Sequence, residues 1–201
     1  MSHDPTPRDR RRQVFAFLFC SLDGYHEGAE GELDWGLCDE EFFDWTLRQT
    51  REVGALLLGR RTYEHFADVW TSAEAAQRLP EIAAFMNAVP KTVVTDSGKV
   101  TPWEGTRVVD GSGVDAEIAR LRTEAAGDIA IFGSSGLTAT LLERGLVDEL
   151  RILVNPVLLG RGRSLFAGLE DRMHLTPGAV TAFRSGNILL RYGPPDRAGN
   201  L

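Results

Sequence analysis

Residues 129–166 read IAIFGSSGLTATLLERGLVDELRILVNPVLLGRGRSLF. The run from Asp128 to Phe132 is apolar after its first residue and stops at Gly133, as a buried strand does. A Gly-Ser-Ser-Gly turn follows, then LTATLLERG, a helix-compatible stretch closed by Gly145. VDELRILVNPVLLG extends again as a long strand. Strand, glycine turn, helix and strand in this order form the unit of a parallel sheet with helical crossovers.

The same unit recurs upstream. Val14 to Cys20 (VFAFLFC) is a short apolar run suited to a strand buried on both faces, and it ends in SLDGYHEGAEGELDWG, a long glycine-punctuated loop. Acidic residues lead DEEFFDWTLRQTREVG, which predicts a helix from about Asp39 to Val53 with Phe42, Phe43, Trp45 and Leu47 inward. Ala55 to Gly59 (ALLLG) is a second buried strand, and RRTYEHFADVW follows it without a loop. The segment 73–89 is helix-compatible and interrupted by Pro80. KTVVTDSG is a further strand, with Val108 and Val109 as a short one. DAEIARLRTEAAG is helical, with Asp115 as expected N-cap and Gly127 as expected C-cap. VDELRILVNPVLLG and AVTAFRSGNILLRYG read as the two arms of a closing antiparallel pair. The expectation is an α/β fold with a mainly parallel sheet, an antiparallel C-terminal edge and flanking helices.

Bulk properties narrow the function. A chain of 201 residues with 43% hydrophobic and 25% charged residues fits one compact domain, placed at 13–193 between tails at 1–12 and 194–201. A net charge of −7 argues against general polyanion binding, so no nucleic acid is expected, and Arg8, Arg10, Arg11 and Arg12 read as a solvated tail. No stretch approaches the roughly 20 apolar residues of a membrane span, and MSHDPTPRDRRR lacks the apolar core of a signal peptide, which places the chain in the cytoplasm. Cys20 and Cys38 are too few for a disulfide framework, and Cys20 is expected in the core. His3, His26, His65 and His174 have no metal-ligand spacing, so no metal is expected.

Three strand ends carry candidate chemistry. At Gly59, Arg60, Arg61 and Thr62 a helix start offers free N–H groups and two guanidinium forks to an anion; solvated loop arginines are the competing reading. At Gly133, Ser134, Ser135 and Gly136 the backbone can approach a ligand closely, although the spacing is neither GxGxxG nor a Walker loop, and a purely structural turn also fits. At Asp23, Tyr25, His26 and Glu27 an Asp-Gly pair is either turn chemistry or a substrate contact. In open α/β sheets ligands lie beyond the carboxyl ends of strands, so all three loops can face one crevice.

SLDGYHEG, LDWG followed by DEEF, LLLGRRTYE, KTVVTDSG and the stretch 129–166 occur in an order that resembles the dihydrofolate-reductase-like family. That family includes the reductase domain of bacterial riboflavin-synthesis enzymes, and the likeness runs from Val14 to Tyr192. It implies a three-layer sandwich that binds NADPH across the strand ends, and a homodimer. By this resemblance Gly59, Arg60, Arg61 and Thr62 take the adenosine phosphate side, with Arg60 on the 2′-phosphate. Thr95, Asp96 and Ser97 lie near the adenine ribose, and Gly133, Ser134, Ser135, Gly136 and Leu137 cradle the pyrophosphate and nicotinamide. Asp23 matches the acid beside the substrate and is the catalytic candidate. The implied activity is hydride transfer from NADPH to a small pyrimidine- or pterin-like heterocycle, as in 5-amino-6-(5-phosphoribosylamino)uracil reductase. A ligand-binding protein without turnover is the alternative. Two departures stand out: Phe17, Leu18, Phe19 and Cys20 occupy the place where riboflavin-type domains usually carry a lysine, and the surroundings of Asp44 do not match the first helix of folate reductases.

Overall fold

The computed structural model describes residues 11–194. The outer parts of both expected tails, with His3, Arg8 and Arg10, lie outside them. In chain order the elements are β1 (Val14–Ser21), β2 (Tyr25–Glu27), α1 (Glu40–Thr50), β3 (Val53–Gly59), α2 (Arg60–Trp70), α3 (Ala73–Arg78), α4 (Pro80–Ala88) and β4 (Lys91–Val94). They continue with β5 (Thr106–Val109), α5 (Val114–Glu124), β6 (Asp128–Phe132), α6 (Ser135–Glu143), β7 (Glu149–Asn155), β8 (Arg163–Ser164), β9 (Thr176–Ala182) and β10 (Ile188–Gly193).

Eight strands form one sheet in the order β5-β4-β3-β6-β1-β7-β10-β9; β2 and β8 form a separate short pair. From β5 to β7 all neighbours are parallel, and β10 and β9 complete the edge antiparallel. The period of two along each strand divides the core. Val14, Ala16, Leu18, Ala55, Leu57, Ile129 and Ile131 pack with α5 and α6, while Phe15, Phe17, Leu56, Leu58, Ala130 and Phe132 pack with α1, α2 and α4. Two faces, each covered by helices, make the expected three-layer sandwich. Burying each large apolar side chain here stabilises the fold by about 1.5–3 kcal/mol relative to leaving it exposed. Among the described residues no helix is long and apolar enough to cross a membrane.

Local chemistry explains most boundaries. Asp39 caps α1 by accepting the Phe42 N–H at 2.9 Å, with Glu40 and Glu41 in the first turn. The helix stops at Thr50, three residues short of the expected end, because β3 already begins at Val53. Pro80 starts α4 at its first turn, where its missing N–H costs no helical bond, so the segment 73–89 is two helices.

Several expectations are corrected. Helix α5 starts at Val114 with Gly113 at the N-cap; Asp115 sits in its first turn, while Asp110 Oδ1 accepts the Ser112 and Gly113 N–H groups just before it. Gly127 lies beyond the C-cap Ala125 and serves the sheet instead: a Cβ on it would fall 2.5 Å from Glu52 O, and one on Gly54 would fall 2.0 Å from Gly127 N. AVTAFRSGNILLRYG is itself a hairpin of β9 and β10, and only β10 pairs with β7. Arg12 is tied to the body by donating to Ala125 O at 3.0 Å. Cys20 and Cys38 are free thiols and Cys20 is buried, as expected.

Lys91 is buried at 2% exposure, with Nζ donating to Val89 O at 2.6 Å and lying 4.5 Å from the Trp103 ring centroid. Burial pulls its pKa down to about 8, against a smaller upward pull from Glu104. The unfolded chain therefore binds more protons than the folded one between about pH 8 and the ordinary lysine value. Stability is expected to rise with pH across that window and to carry the full penalty below it. Denaturant melts of wild type and Lys91→Met between pH 7 and pH 10 should converge as the pH rises.

Candidate functional site

At the carboxyl ends of β1, β3 and β6 a cavity of about 720 Å³ opens between the β2–β8 pair, α1, α2 and the start of α6. Ligand sites in open α/β sheets occupy this position. Two helix starts face it. Helix α2 begins directly at the end of β3 with Gly59 as N-cap, and α6 begins with Ser134 as N-cap; neither has a side-chain cap among the described residues. Their first N–H groups and dipoles are thus directed toward an anion.

The two starts are locked together. Gly59 N–H donates to Ser134 Oγ at 2.9 Å, Ser134 N–H donates to Thr62 Oγ1 at 3.1 Å, and Gly133 N–H donates to Phe17 O at 3.0 Å. Gly133 adopts φ 66°, and Ser134, at φ 54°, is the single non-glycine residue with positive φ among the described residues. Strain of this kind persists where the surroundings hold it, and here three hydrogen bonds do so. A Cβ on Gly136 would meet nothing within 4 Å, leaving the first turn of α6 open to close approach.

Charge concentrates at this end. Arg60, half-exposed, donates from Nη1 to Ser97 Oγ at 2.7 Å, and its Nε lies 3.8 Å from Glu64 Oε1. Arg61 pairs with Glu27 on β2, which also holds Arg163 of β8 at 3.2 Å. Glu27 is buried, and it is the one carboxylate in the lining against three arginines, so the mouth is locally positive on a chain of net charge −7. Gly162 permits this pairing, because a Cβ there would fall 2.2 Å from Glu27 O.

His26 joins the same wall. Its Nδ1 lies 3.0 Å from Arg163 O, which can only accept, so Nδ1 carries the proton and Nε2 accepts from Ser135 Oγ at 2.8 Å. Burial, followed by repulsion from Arg163 and Arg61, lowers its pKa against an opposing backbone bond to Arg163. Its NMR titration midpoint is expected below the ordinary 6.5. A midpoint above that value would mean the ring is charged and the Ser135 bond reversed.

The remaining predicted residues are placed unequally. Gly59, Arg60, Arg61, Thr62, Gly133, Ser134, Ser135, Gly136 and Leu137 all line the cavity. Thr95, Asp96 and Ser97 follow β4 outside the lining; Asp96 accepts Gly111 N–H at 3.0 Å, and Ser97 reaches the site through Arg60. Asp23 is not brought to the lining either. Its carboxylate accepts Ser21 Oγ–H at 2.7 Å, Leu159 N–H at 3.1 Å and Gly160 N–H at 2.7 Å, bonds that hold its pKa below the usual carboxylate range. It pins the turn after β7.

Sequence reasoning missed Arg163, Gln49, Trp70, Ile82 and Met86, all in the lining. The helical spacing of Thr62, Phe66 and Trp70 on α2 was the available signal for the last of that set on the helix. The same spacing places Phe42, Thr46 and Gln49 along α1. Asp44 of α1 is exposed and absent from the lining.

A family model for the RibD C-terminal domain matches residues 12–189. YyaP of Bacillus subtilis (strain 168), an uncharacterized protein, is 26% identical over 185 residues, covering 91% of this chain and 95% of YyaP. Among solved structures, RibD from Acinetobacter baumannii superposes with a TM-score of 0.68 at 18% identity, over 92% of this chain and 59% of that one. Dihydrofolate reductase from Enterococcus faecalis, complexed with NADP(H) and RAB-propyl, gives a TM-score of 0.56 at 20% identity, over 92% of this chain and 98% of that one. At these identities the two structures speak to the fold.

Proposed function

Since the chain belongs to the RibD C-terminal domain family, we propose that it is an NADPH-dependent reductase of a small heterocyclic substrate. The observation that carries this reading is the meeting of two uncapped helix starts, on α2 and α6, beside Arg60 in one cavity. Such a cradle suits a ligand with several phosphates. When bound, NADPH supplies a hydride. The chain supplies position: the Gly133–Leu137 turn holds the pyrophosphate, Arg60 and Ser97 take the 2′-phosphate, and Thr95 and Asp96 flank the adenosine end. Asp23 enters as the residue that fixes the 159–160 turn beside the β2–β8 pair, acting on the substrate through loop position. A small-molecule substrate, a second copy of the chain and a cytoplasmic location complete the reading.

Binding without turnover is the second reading, and the engaged carboxylate of Asp23 favours it. Consumption of NADPH with any heterocycle would exclude it. The experiment for the main reading is a titration with NADPH and NADH followed by tryptophan fluorescence, since Trp35 and Trp70 line the cavity. Saturable quenching that is tighter for NADPH is expected; no response to either nucleotide would sink the reductase.

A further inference from the structure

Ser135 is the serine, among the described residues, whose hydroxyl meets an imidazole. Its Oγ lies 2.8 Å from His26 Nε2, and the ring is held by its other nitrogen, Nδ1, which donates to Arg163 O at 3.0 Å. Ser21 and Ser112 give their protons to the carboxylates of Asp23 and Asp110, both held below the ordinary carboxylate pKa, and Ser72 gives its own to Val69 O. None of those acceptors keeps a proton near neutral pH. A neutral imidazole does, so Ser135 alone of these has a base beside it.

The surroundings suit an attacking oxygen. Strand β6 runs through Gly133 and the strained Ser134 straight into α6, whose first residue is Ser135; a sharp strand-to-helix turn of this kind presents a nucleophile at a helix start. The N–H groups of Ser135, Gly136 and Leu137 fall outside the helical ladder, which begins when Thr138 N–H donates to Ser134 O. They and the helix dipole are donors for a developing oxyanion. Ser135 and His26 both line the cavity. The turn is also flanked by apolar rings: Phe132 precedes Gly133, Phe17 O takes the Gly133 N–H, and the two rings lie 6.2 Å apart on the lining. Around the imidazole the charges are mixed, with Glu27 Oε2 at 3.9 Å from Nε2 and Arg61 and Arg163 paired to that same carboxylate. The arginines keep the resting ring uncharged and disfavour a cationic ligand, and Glu27 supports the imidazolium that forms in the reaction.

We infer that Ser135 and His26 form a nucleophilic dyad that cleaves small uncharged carboxylic esters of aromatic alcohols. Ser135 Oγ attacks the ester carbon while His26 Nε2 takes the hydroxyl proton, and the carbonyl electron pair moves onto oxygen. As the carbonyl re-forms, the ester C–O bond breaks and His26 hands the proton to the departing alcohol, leaving the acyl group on Ser135. Water then attacks the acyl carbon and gives a proton to His26, which returns it to Ser135 Oγ as the acid leaves. Ester and water become acid and alcohol, with no change of oxidation state. The inference does not rest on the reductase reading. The ester occupies the place given there to the pyrophosphate, so the test is made without nucleotide.

The full chain is given 2-naphthyl acetate and, separately, a fluorophosphonate. A burst of 2-naphthol followed by slower turnover is expected, and Ser135→Ala and His26→Gln should each lower the rate by about a hundredfold or more. Ser135→Cys keeps a nucleophile beside the imidazole and should retain the burst. The fluorophosphonate should form an Oγ–P bond at Ser135 with loss of fluoride, located by peptide mass spectrometry; this readout decides even where a variant fails to fold in a circular-dichroism melt. Equal hydrolysis by wild type and a folded Ser135→Ala overturns the dyad, as does a wild-type protein that carries no label on Ser135. Hydrolysis by a protein that ignores both nucleotides leaves the dyad standing and removes the reductase, and NADPH binding beside an inert Ser135 does the reverse.

Discussion

Replacing Arg60 with alanine is expected to weaken NADPH binding by about ten- to a hundredfold, the value of a charged hydrogen-bonded contact, and to change NADH binding by less than about twofold. The side chain is half-exposed and its partners are Ser97 Oγ and, more distantly, Glu64, so its removal should leave the fold intact. Only the 2′-phosphate distinguishes the two nucleotides. A differential loss therefore reports on that group, and the arginine fork with its neighbouring hydroxyl is a suitable receptor for it. Calorimetric titration of each nucleotide, with a circular-dichroism melt of the variant, checks the result. An equal loss for both nucleotides would move Arg60 to the pyrophosphate; no loss would remove it from the site.

Gly54→Ala is expected to be the most damaging small substitution in the sheet. The added Cβ would fall 2.0 Å from Gly127 N and 2.8 Å from Ala126 N, and both obstacles are backbone of the segment entering β6. Neither can rotate away, so β3 and β6 must separate at their start, at a cost of about 3 kcal/mol or more. For a chain of this size that is a fall of roughly 10 °C in midpoint. Because β3 ends at Gly59 and leads directly into Arg60 of α2, the displacement should also loosen the phosphate end of the cavity, and nucleotide affinity should fall with stability. Gly136→Ala is the matched control: its Cβ meets nothing within 4 Å, and it lies in the first turn of α6. Thermal melts should show the second variant at or slightly above wild type. A Gly54→Ala protein with wild-type stability would mean that the two strands have room to part.

Those contrasts also show what the sequence could convey. Apolar runs such as VFAFLFC and ALLLG declare buried strands, and Asp39, Pro80 and Gly145 mark helix ends by local chemistry that any reader of the chain can apply. The two phosphate-type loops were visible for the same reason, since a strand running into a helix start is a local event. Gly127 was misread because its role is set by Glu52 and Gly54, more than 70 residues away. The hairpin of β9 and β10 was taken for one arm because β9 is exposed along its whole length and gives no buried pattern to read. The bonds of Asp23 to the Leu159 and Gly160 amides could not be read from the chain, because those partners lie 136 and 137 residues along it. Glu27 with Arg163, and Gln49 with Arg151, were out of reach on the same ground.

The central position of β1 has a consequence for how the chain comes to be folded. Its register partners are Ile129 to Phe132 on one side and Glu149 to Asn155 on the other, so β1 leaves the ribosome more than 110 residues ahead of its partners in the sheet. At ordinary rates of synthesis that interval is on the order of ten seconds, during which VFAFLFC is an unpaired apolar segment. Closing the sheet means paying loop entropy before any of its central contacts form, which slows folding. Pulse-labelled nascent chains should become protease-resistant only after β7 has emerged, with the site at the strand ends assembled in the same late event.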